Sequence, residues 1–507
     1  MAIPVKNDIP KNTTGYSEAN AEYFQRRTLR RYAGVWSLWA LGVGAVISGH
    51  FSGWNLALDE AGWGGMFIAT CLIALMYLGL TFCIAEMSPA LPHTGGAYSF
   101  ARSAMGPWGG FITGLAENVE YVLVPATIVF FIGSYMTGIT GTPDSWQPLW
   151  WVVSYIIFVG LNITGVELSF RVTVGVTLLA LGCLIVFWIS ALMNMDFNRY
   201  AMDVGAGGVH LPEGNGPFLP GGIEGIFLAM PFAVWLFLAV EQLPLAAEES
   251  HSPEKDMPRG ILAAIFTLMF SAFMIVWLNP SVSGVGSHAL AASGEPLLDA
   301  LRAMYGSGIA TTLALVAVLG LIASFHSIIF AKGRQIYSLS RAGYFPTALS
   351  LTHGRNQTPH VAMVAGSLLA LTVMGVLWFS LGAEQAGVAI GGTLLQMSVF
   401  AAMFSYICQA ISFIRLRQKF PDLHRPWRSP FGLTGAVLVL LIGAVTLVFQ
   451  LRDPAYRTGV LGVALWFGAG ILYFALVGRH SLVRSPEEEF ALKLQHTAPR
   501  ETRDYRS

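Results

Sequence analysis

The sequence predicts an all-α protein that crosses a membrane twelve times. Three observations carry that prediction. Only 11% of the residues are charged and 54% are hydrophobic, with mean hydropathy +0.59; soluble chains carry about 25% charged residues. Twelve apolar runs lie near the roughly 20 residues that a helix needs to span a bilayer. With both termini placed inside, only four of the 29 Lys and Arg fall in outside loops, namely Arg199, Arg302, Arg452 and Arg457. Basic residues favour the inner side, so this imbalance fixes orientation and supports an even number of spans.

The spans run over 34–62, 64–87, 106–137, 149–164, 168–193, 222–248, 258–279, 307–337, 359–380, 386–415, 431–450 and 457–477. Residues 1–33 form a polar cytoplasmic arm bearing Arg26, Arg27, Arg30 and Arg31, without the short apolar run of a signal peptide. Residues 34–477 make one transporter domain, and 478–507 a polar cytoplasmic tail, expected to be partly disordered and without a role. Net charge is zero, so no nucleic-acid partner is expected. Cys71, Cys83, Cys183 and Cys408 are scattered, so neither a disulfide framework nor a metal site is indicated, and no cofactor is expected.

The first span is the unusual one. Its middle, Gly44 to Gly53, is built from Gly, Ser and one His. Glycine costs about 1 kcal/mol relative to Ala in a helix interior. Irregular backbone at membrane depth is tolerated where it is buried in protein or lines a wet cavity. The sixth span is interrupted too, by Pro231 and Pro244, with Glu241 between them. Spans one and six are five apart, as in two five-helix repeats that each open with a broken helix. Close helix packing through small residues is the plainer account of the first break.

The loops also carry signals. Residues 88–106, with their prolines and paired glycines, read as a structured inner turn. The long outer loop 195–221 is expected over the outer mouth, and 285–305 has helical spacing. The basic loop 414–429 is expected against anionic lipid head groups.

Ionisable groups inside a membrane cost roughly 2.5–3.5 kcal/mol each on insertion scales and are functional candidates. Span three holds Glu117 and Glu120, which share a helical face. Span six holds Glu241 and span eight His326. Carboxylates around one cavity suit a cationic amine, and neighbouring carboxylates need not all be ionised, which leaves room for a coupled proton. Each has a plainer reading: Glu120 a structural acid, Glu117 a gate residue, Glu241 a brace for the broken helix, His326 a packed residue. His50 lies inside the first break. Trp235 is either plain core or a lid whose ring attracts an ammonium, worth about 0.5–2 kcal/mol.

Four blocks resemble the amino acid–polyamine–organocation (APC) permease superfamily: AEMSPALPHTGGAYSFARSAMGPWGGF (85–111), VEQLPLAAEESHSPEKDMPRGI (240–261), GRQIYSLSRAGYFPTAL (333–349) and FPDLHRPWRSPFG (420–432). The resemblance implies two inverted five-helix repeats plus two extra helices, with helices 1 and 6 unwound and alternating access. LWALGVGAVISGHFSGWN (38–55) and ENVEYV (117–122) are most similar to the ethanolamine permease branch. Superfamily amino acid permeases have Gly-Ser-Gly in the first break, where backbone takes the substrate carboxylate. Here Ser48, Gly49 and His50 stand there. Ethanolamine permeases tend to have Asp at the position of His50, so an amino acid or another amine stays open. The resemblance places Trp235 and Glu241 at gating positions and Ser324 near the substrate. Some relatives carry a lysine in place of a sodium ion, where this chain has Ala180.

The expected activity is a secondary permease of the cell inner membrane, importing ethanolamine or a similar small amine. An amino acid permease or exchanger is the alternative. The expected substrate site is Ser48, Gly49, His50, Glu117, Glu120, Trp235, Ala239 and Ser324, with Trp235 and Glu241 serving gating and coupling. Membrane lipids are the other expected partners; coupling by proton, sodium or exchange and the oligomeric state are left open. Against an enzyme, the chain has no HExxH, nucleophile elbow or phosphate loop. A non-transporting sensor would bind ligand and move none.

Overall fold

The computed structural model describes residues 15–17, 22–23, 26–27, 29–204, 215–381, 387–454 and 456–497. Eleven helices there are long and apolar enough to cross a membrane, and the shorter apolar stretch Val35–His50 accompanies them. Read with its kinks, this is the expected set of twelve crossings.

The kinks sit where glycine permits a left-handed backbone that other residues rarely adopt. Gly62 (φ 63°) separates the end of crossing one from crossing two inside Leu58–Ala90. Gly106 (φ 83°) divides Gly96–Thr140 into a short interfacial helix and crossing three. Gly306 (φ 74°) does the same for crossing eight in Pro296–Arg341. The inner turn over 88–106 and the helical spacing over 285–305 thus both become short helices ahead of a crossing.

Crossing one is helical over Val35–Val46, then 3-10 over Ile47–His50 and again over Trp54–Ala57. Crossing six is helical over Gly222–Trp235, loses the helix at 236–239, and resumes as a 3-10 stretch over Val240–Glu249. Both expected breaks are present.

Packing reveals the repeat that direct sequence comparison does not. Crossing one lies against crossing seven, as two lies against six; three lies against ten, as eight lies against five. Each pairing maps onto the other by a shift of five. Because five is odd, crossings related in this way run in opposite directions, so the two repeats are inverted. Crossings three and six are the core, with 78% of their apolar windows buried; eleven and twelve are peripheral, at 28% and 22%.

Both chain ends lie on one face, hereafter the terminal face. Tyr16–Ser17 and Leu482–Val483 pair as short parallel strands. The expectation of a loose tail is corrected here: Pro486–Thr497 is a helix docked on crossing three's interfacial segment. Its Glu487 and Glu488 are fully buried. Burial of these acids is possible because basic side chains meet them. Arg102 reaches Glu488 at 2.6 Å, with the hydroxyls of Tyr16, Tyr98 and Tyr344 donating at 2.9 Å each. Arg341 and Ser338 meet Glu487. Residues 498–507 lie outside the described residues.

The basic loop 414–429 is anchored from within. Arg417 and Arg425 turn inward onto buried Glu86, at 2.5 and 3.2 Å, and the Ser429 N–H donates to the same carboxylate. Loop 195–221 is described at its two ends, where Phe197 and Phe218 pack on Trp63 beside the end of crossing one on the face away from the termini; residues 205–214 lie outside the described residues.

Candidate functional site

The first break is opened by a side chain. In a regular helix the Ser48 N–H would bond the Gly44 carbonyl, four residues back. Instead the Ser324 hydroxyl sits between them, accepting from the Ser48 N–H at 2.8 Å and donating to Gly44 O at 2.6 Å. A group inserted into the ladder in this way is a recognised cause of a helix break. Gly44 is required beside it: a Cβ there would lie 2.5 Å from Thr177 Oγ1. Ser324, expected near the substrate, therefore spends both hydrogen bonds on backbone.

The two breaks touch. A Cβ on Gly49 would collide with the Trp235 carbonyl, and one on Gly53 (φ 96°) would lie 2.7 Å from Trp235 Nε1. Trp235 Nε1 donates to Ser52 O at 2.9 Å, so the indole spans from the sixth crossing to the first. His50 Nε2 lies 3.0 Å from Leu236 O and Nδ1 lies 2.8 Å from Ser271 Oγ. A carbonyl only accepts, so Nε2 carries a proton, and Nδ1 pairs with the serine hydroxyl. Both ring nitrogens are engaged by the protein. His50 ties the two breaks together, with its ring nitrogens bonded to crossings six and seven. Ala239, in the left-handed region at φ 84°, is the turning point of the sixth break. Such a conformation costs a non-glycine residue about 1–3 kcal/mol and marks a place that the surroundings over-determine.

Beyond the breaks, the structure assembles the acids. Glu117, Glu120 and Glu241 are all buried, at 1%, 0% and 3% exposure. Glu120 and Glu241 lie side by side, with the Tyr406 hydroxyl next to both. Among the described residues, none of their four carboxyl oxygens is engaged in a hydrogen bond of good geometry. Tyr77 donates to Tyr406 Oη at 3.1 Å, and the Tyr121 hydroxyl, also unengaged, belongs to the same cluster. Glu117 differs: one oxygen accepts from Gln335 Nε2 at 2.8 Å, while the other is free. A cavity of about 200 Å³ on the other flank of crossing three, lined by Asn118, Val122, Met397 and Trp466 among others, holds none of these acids.

Tyr77, Tyr406 and Gln335 were not singled out from sequence. Each sits in an apolar run or an unremarkable helix, and only the fold shows what it faces. His326 lies apart from the acids. Its ring bonds Asn162 Nδ2 at 3.0 Å and Ser169 Oγ at 3.2 Å, which joins crossings four, five and eight. Ala180 is fully buried. On the face away from the termini, the first crossing is tied down by Asn55, which donates to Leu290 O and Ser293 O at 2.6 and 2.8 Å, and by Ser52, which donates to Gly294 O at 3.1 Å.

An acidic cluster enclosed by two broken crossings can hold a small cation and a proton; no nucleophile-and-base pair is formed there. Known proteins agree with a carrier. The chain is 26% identical to an uncharacterized transporter of Rhizobium meliloti (strain 1021), over 87% of this chain and 92% of that protein. It is 24% identical to the methylthioribose transporter of Bacillus subtilis (90% and 95% covered) and 26% identical to the gamma-aminobutyric acid permease of Escherichia coli K12 (83% and 88%). In fold alone it is similar to a manganese transporter of Eremococcus coleocola, with TM-score 0.50, 12% identity and 96% and 98% coverage. The amino acid permease family model matches residues 38–481, which include both broken crossings and the acids between them, and the chain belongs to that family of membrane transporters.

Proposed function

We propose that this protein is a secondary permease that imports ethanolamine or a similar small amine by alternating access, with the terminal face toward the cytoplasm. The carrying observation is the pair Glu120 and Glu241, buried, adjacent, and without a cation opposite them among the described residues. Attraction between unit charges grows as the local dielectric falls, so an ammonium arriving here is bound strongly. Before it arrives, two carboxyls this close in a dry site are best served by sharing a proton. Amine and proton then compete for the same pair, and that competition couples them. Glu117, held by Gln335, adds a third acid at the edge. The backbone of Ser48 and Gly49 lines the first break, and Trp235 closes over the ligand through its bond to Ser52. Ala239 supplies the turn that lets the sixth crossing move, and Ser324 and His50 hold the breaks in shape.

A second reading has specific support. Relatives include the gamma-aminobutyric acid permease and a branched-chain amino acid permease of Bacillus subtilis. An amino acid would need backbone donors in the first break for its carboxylate, yet the Ser48 N–H is already taken by Ser324. That favours the amine.

The test is uptake of labelled ethanolamine by proteoliposomes, competed by neutral amino acids, basic amino acids, choline and polyamines, at two pH values and with or without sodium. Saturable uptake displaced by small amines supports the reading. Displacement by neutral amino acids in preference to amines selects the second. Binding without uptake would make the protein a sensor, and a changed product an enzyme.

A further inference from the structure

We infer that the terminal face carries a binding site for a phosphate-bearing anion, in the cleft between the start of crossing five and the loop that follows crossing eight. The cleft has a volume of about 320 Å³ and is lined by Arg30, Arg171 and Arg355 together with Thr164–Leu168 and Asn356. Three guanidinium groups from three separate parts of the chain converge there against one carboxylate, Glu167.

Their bonding leaves the charge available. Arg171 is oriented by Glu167 at 2.6 Å and by the Tyr32 hydroxyl at 3.3 Å. Among the described residues, Arg30 and Arg355 have no carboxylate partner, and both are exposed. The loop that carries Arg355 is not loose: Asn356 Nδ2 and Thr358 Oγ1 both donate to Ile163 O, at 3.0 and 2.9 Å. The cleft floor is the start of crossing five. Gly165 precedes it at φ 146° and offers no side-chain cap, so the first N–H groups of a 28-residue helix open toward the cleft. Uncapped helix starts carry partial positive charge and favour anions. Guanidinium forks match the paired oxygens of a phosphate, and a charge-assisted pair is about twice as strong as a neutral hydrogen bond.

The position suggests where such a phosphate comes from. Leu168 at the cleft and Ile156 and Ile157 on crossing four are 44%, 69% and 49% exposed. Leu168 faces outward at the cleft, and Ile156 and Ile157 face outward about 12 Å further along crossing four, so a phosphodiester in the cleft has an apolar flank for its acyl chains. An acidic phospholipid head group and a free phosphate share the recognised chemistry.

The experiment uses the purified full chain in detergent, comparing wild type, the double variant Arg30→Gln/Arg355→Gln and, as a control elsewhere on the same face, Arg415→Gln. Native mass spectrometry reads retention of phosphatidylglycerol and of phosphatidylcholine, and thermal unfolding is followed with inorganic phosphate or with chloride at equal ionic strength. Wild type is expected to retain phosphatidylglycerol over phosphatidylcholine, and the double variant to lose about tenfold of that preference, as expected for lost charge-assisted bonds; Arg415→Gln is expected to keep it. Stabilisation of wild type, but not of the double variant, by inorganic phosphate with no lipid preference supports the same site and assigns it to the free anion. Equal retention by wild type and double variant with no phosphate response, or an equal loss in Arg415→Gln, overturns the site. The double variant changes exposed side chains, so its folding is checked by its melting temperature in chloride.

Discussion

Glu488 and Glu120 are both fully buried glutamates in one protein, and they differ in what stands opposite. Glu488 faces a guanidinium and three phenolic hydroxyls. Glu249 likewise meets Arg334 at 2.7 Å, and Glu86 meets Arg417 and Arg425. Glu120 and Glu241 face each other and two tyrosines. A buried charge is stable only when paired and hydrogen-bonded. The terminal-face acids satisfy that rule with parts of the chain, and so they hold the fold together. Among the described residues no cation stands opposite the central pair, which has only the tyrosines and the backbone N–H groups of Ala239 and Glu241 beside it; on the proposed reading a cationic cargo supplies the missing charge. Brace and proposed carrier then differ in the partner alone, because burial is the same in both.

The largest expected effect breaks a brace. Glu488→Ala strands Arg102 in a dry site, and removing one partner of a buried pair costs about 3–5 kcal/mol. Thermal unfolding should show a large loss of stability, relieved in part by adding Arg102→Met. If Glu488→Ala melts as wild type does, the terminal-face acids are not braces. Glu120→Gln removes an acid that, on the proposed reading, meets the cargo and not a guanidinium. Its uptake should fall at least about tenfold, the scale of a lost hydrogen bond to a charged group, while its melting temperature stays near wild type. Equal uptake would take Glu120 out of the site.

Acid gives a graded version of the first test. Burial alone would push the Glu487 carboxyl up, but the Arg341 guanidinium, together with His93 and a backbone N–H, outweighs that and holds it below the usual carboxylate range, at about 2. A depressed value in the folded state favours folding above the unfolded value of 4.5. That contribution is present at neutral pH and drains away as pH falls from about 4.5 toward 2. Glu487→Gln should flatten the acid limb of the stability profile; an unchanged limb would refute the assignment.

Two smaller effects sharpen the site. Trp235→Phe keeps the ring and loses the bond to Ser52 O, so uptake should change by roughly fivefold, the size of one neutral hydrogen bond. His50→Gln should leave the ranking of competing substrates unchanged, because both ring nitrogens are bound to the protein and not to the ligand. A reordered ranking would mean that His50 meets the cargo.

Much of this was legible in the sequence, and the rest failed for physical reasons. Crossings and their limits follow from length and hydropathy, and kinks at Gly62, Gly106 and Gly306 fall at the edges that the apolar runs predict. Both breaks announce themselves through Gly, Ser and Pro. The acids were legible because charge inside an apolar run is conspicuous. What they face was not: Tyr77 and Tyr406 come from crossings two and ten, more than 300 positions apart, and carry no local signal. Direction is hidden as well. His50 lies in the break but turns to Leu236 and Ser271, and Ser324 turns to backbone. The tail misled because Glu487 and Glu488 look like solvated charges until the buried arginines across the fold are seen.

The most direct test of the central claim follows protons. Proteoliposomes holding a pH-sensitive dye and no sodium are given external ethanolamine, and internal pH is recorded for wild type and for Glu241→Gln. If Glu120 and Glu241 hold the coupled proton, amine entry is matched by proton exit and wild type alkalinises the interior, whereas Glu241→Gln exchanges labelled amine without moving internal pH. Amine-driven alkalinisation that persists unchanged in Glu241→Gln, or acidification in wild type, would contradict the account.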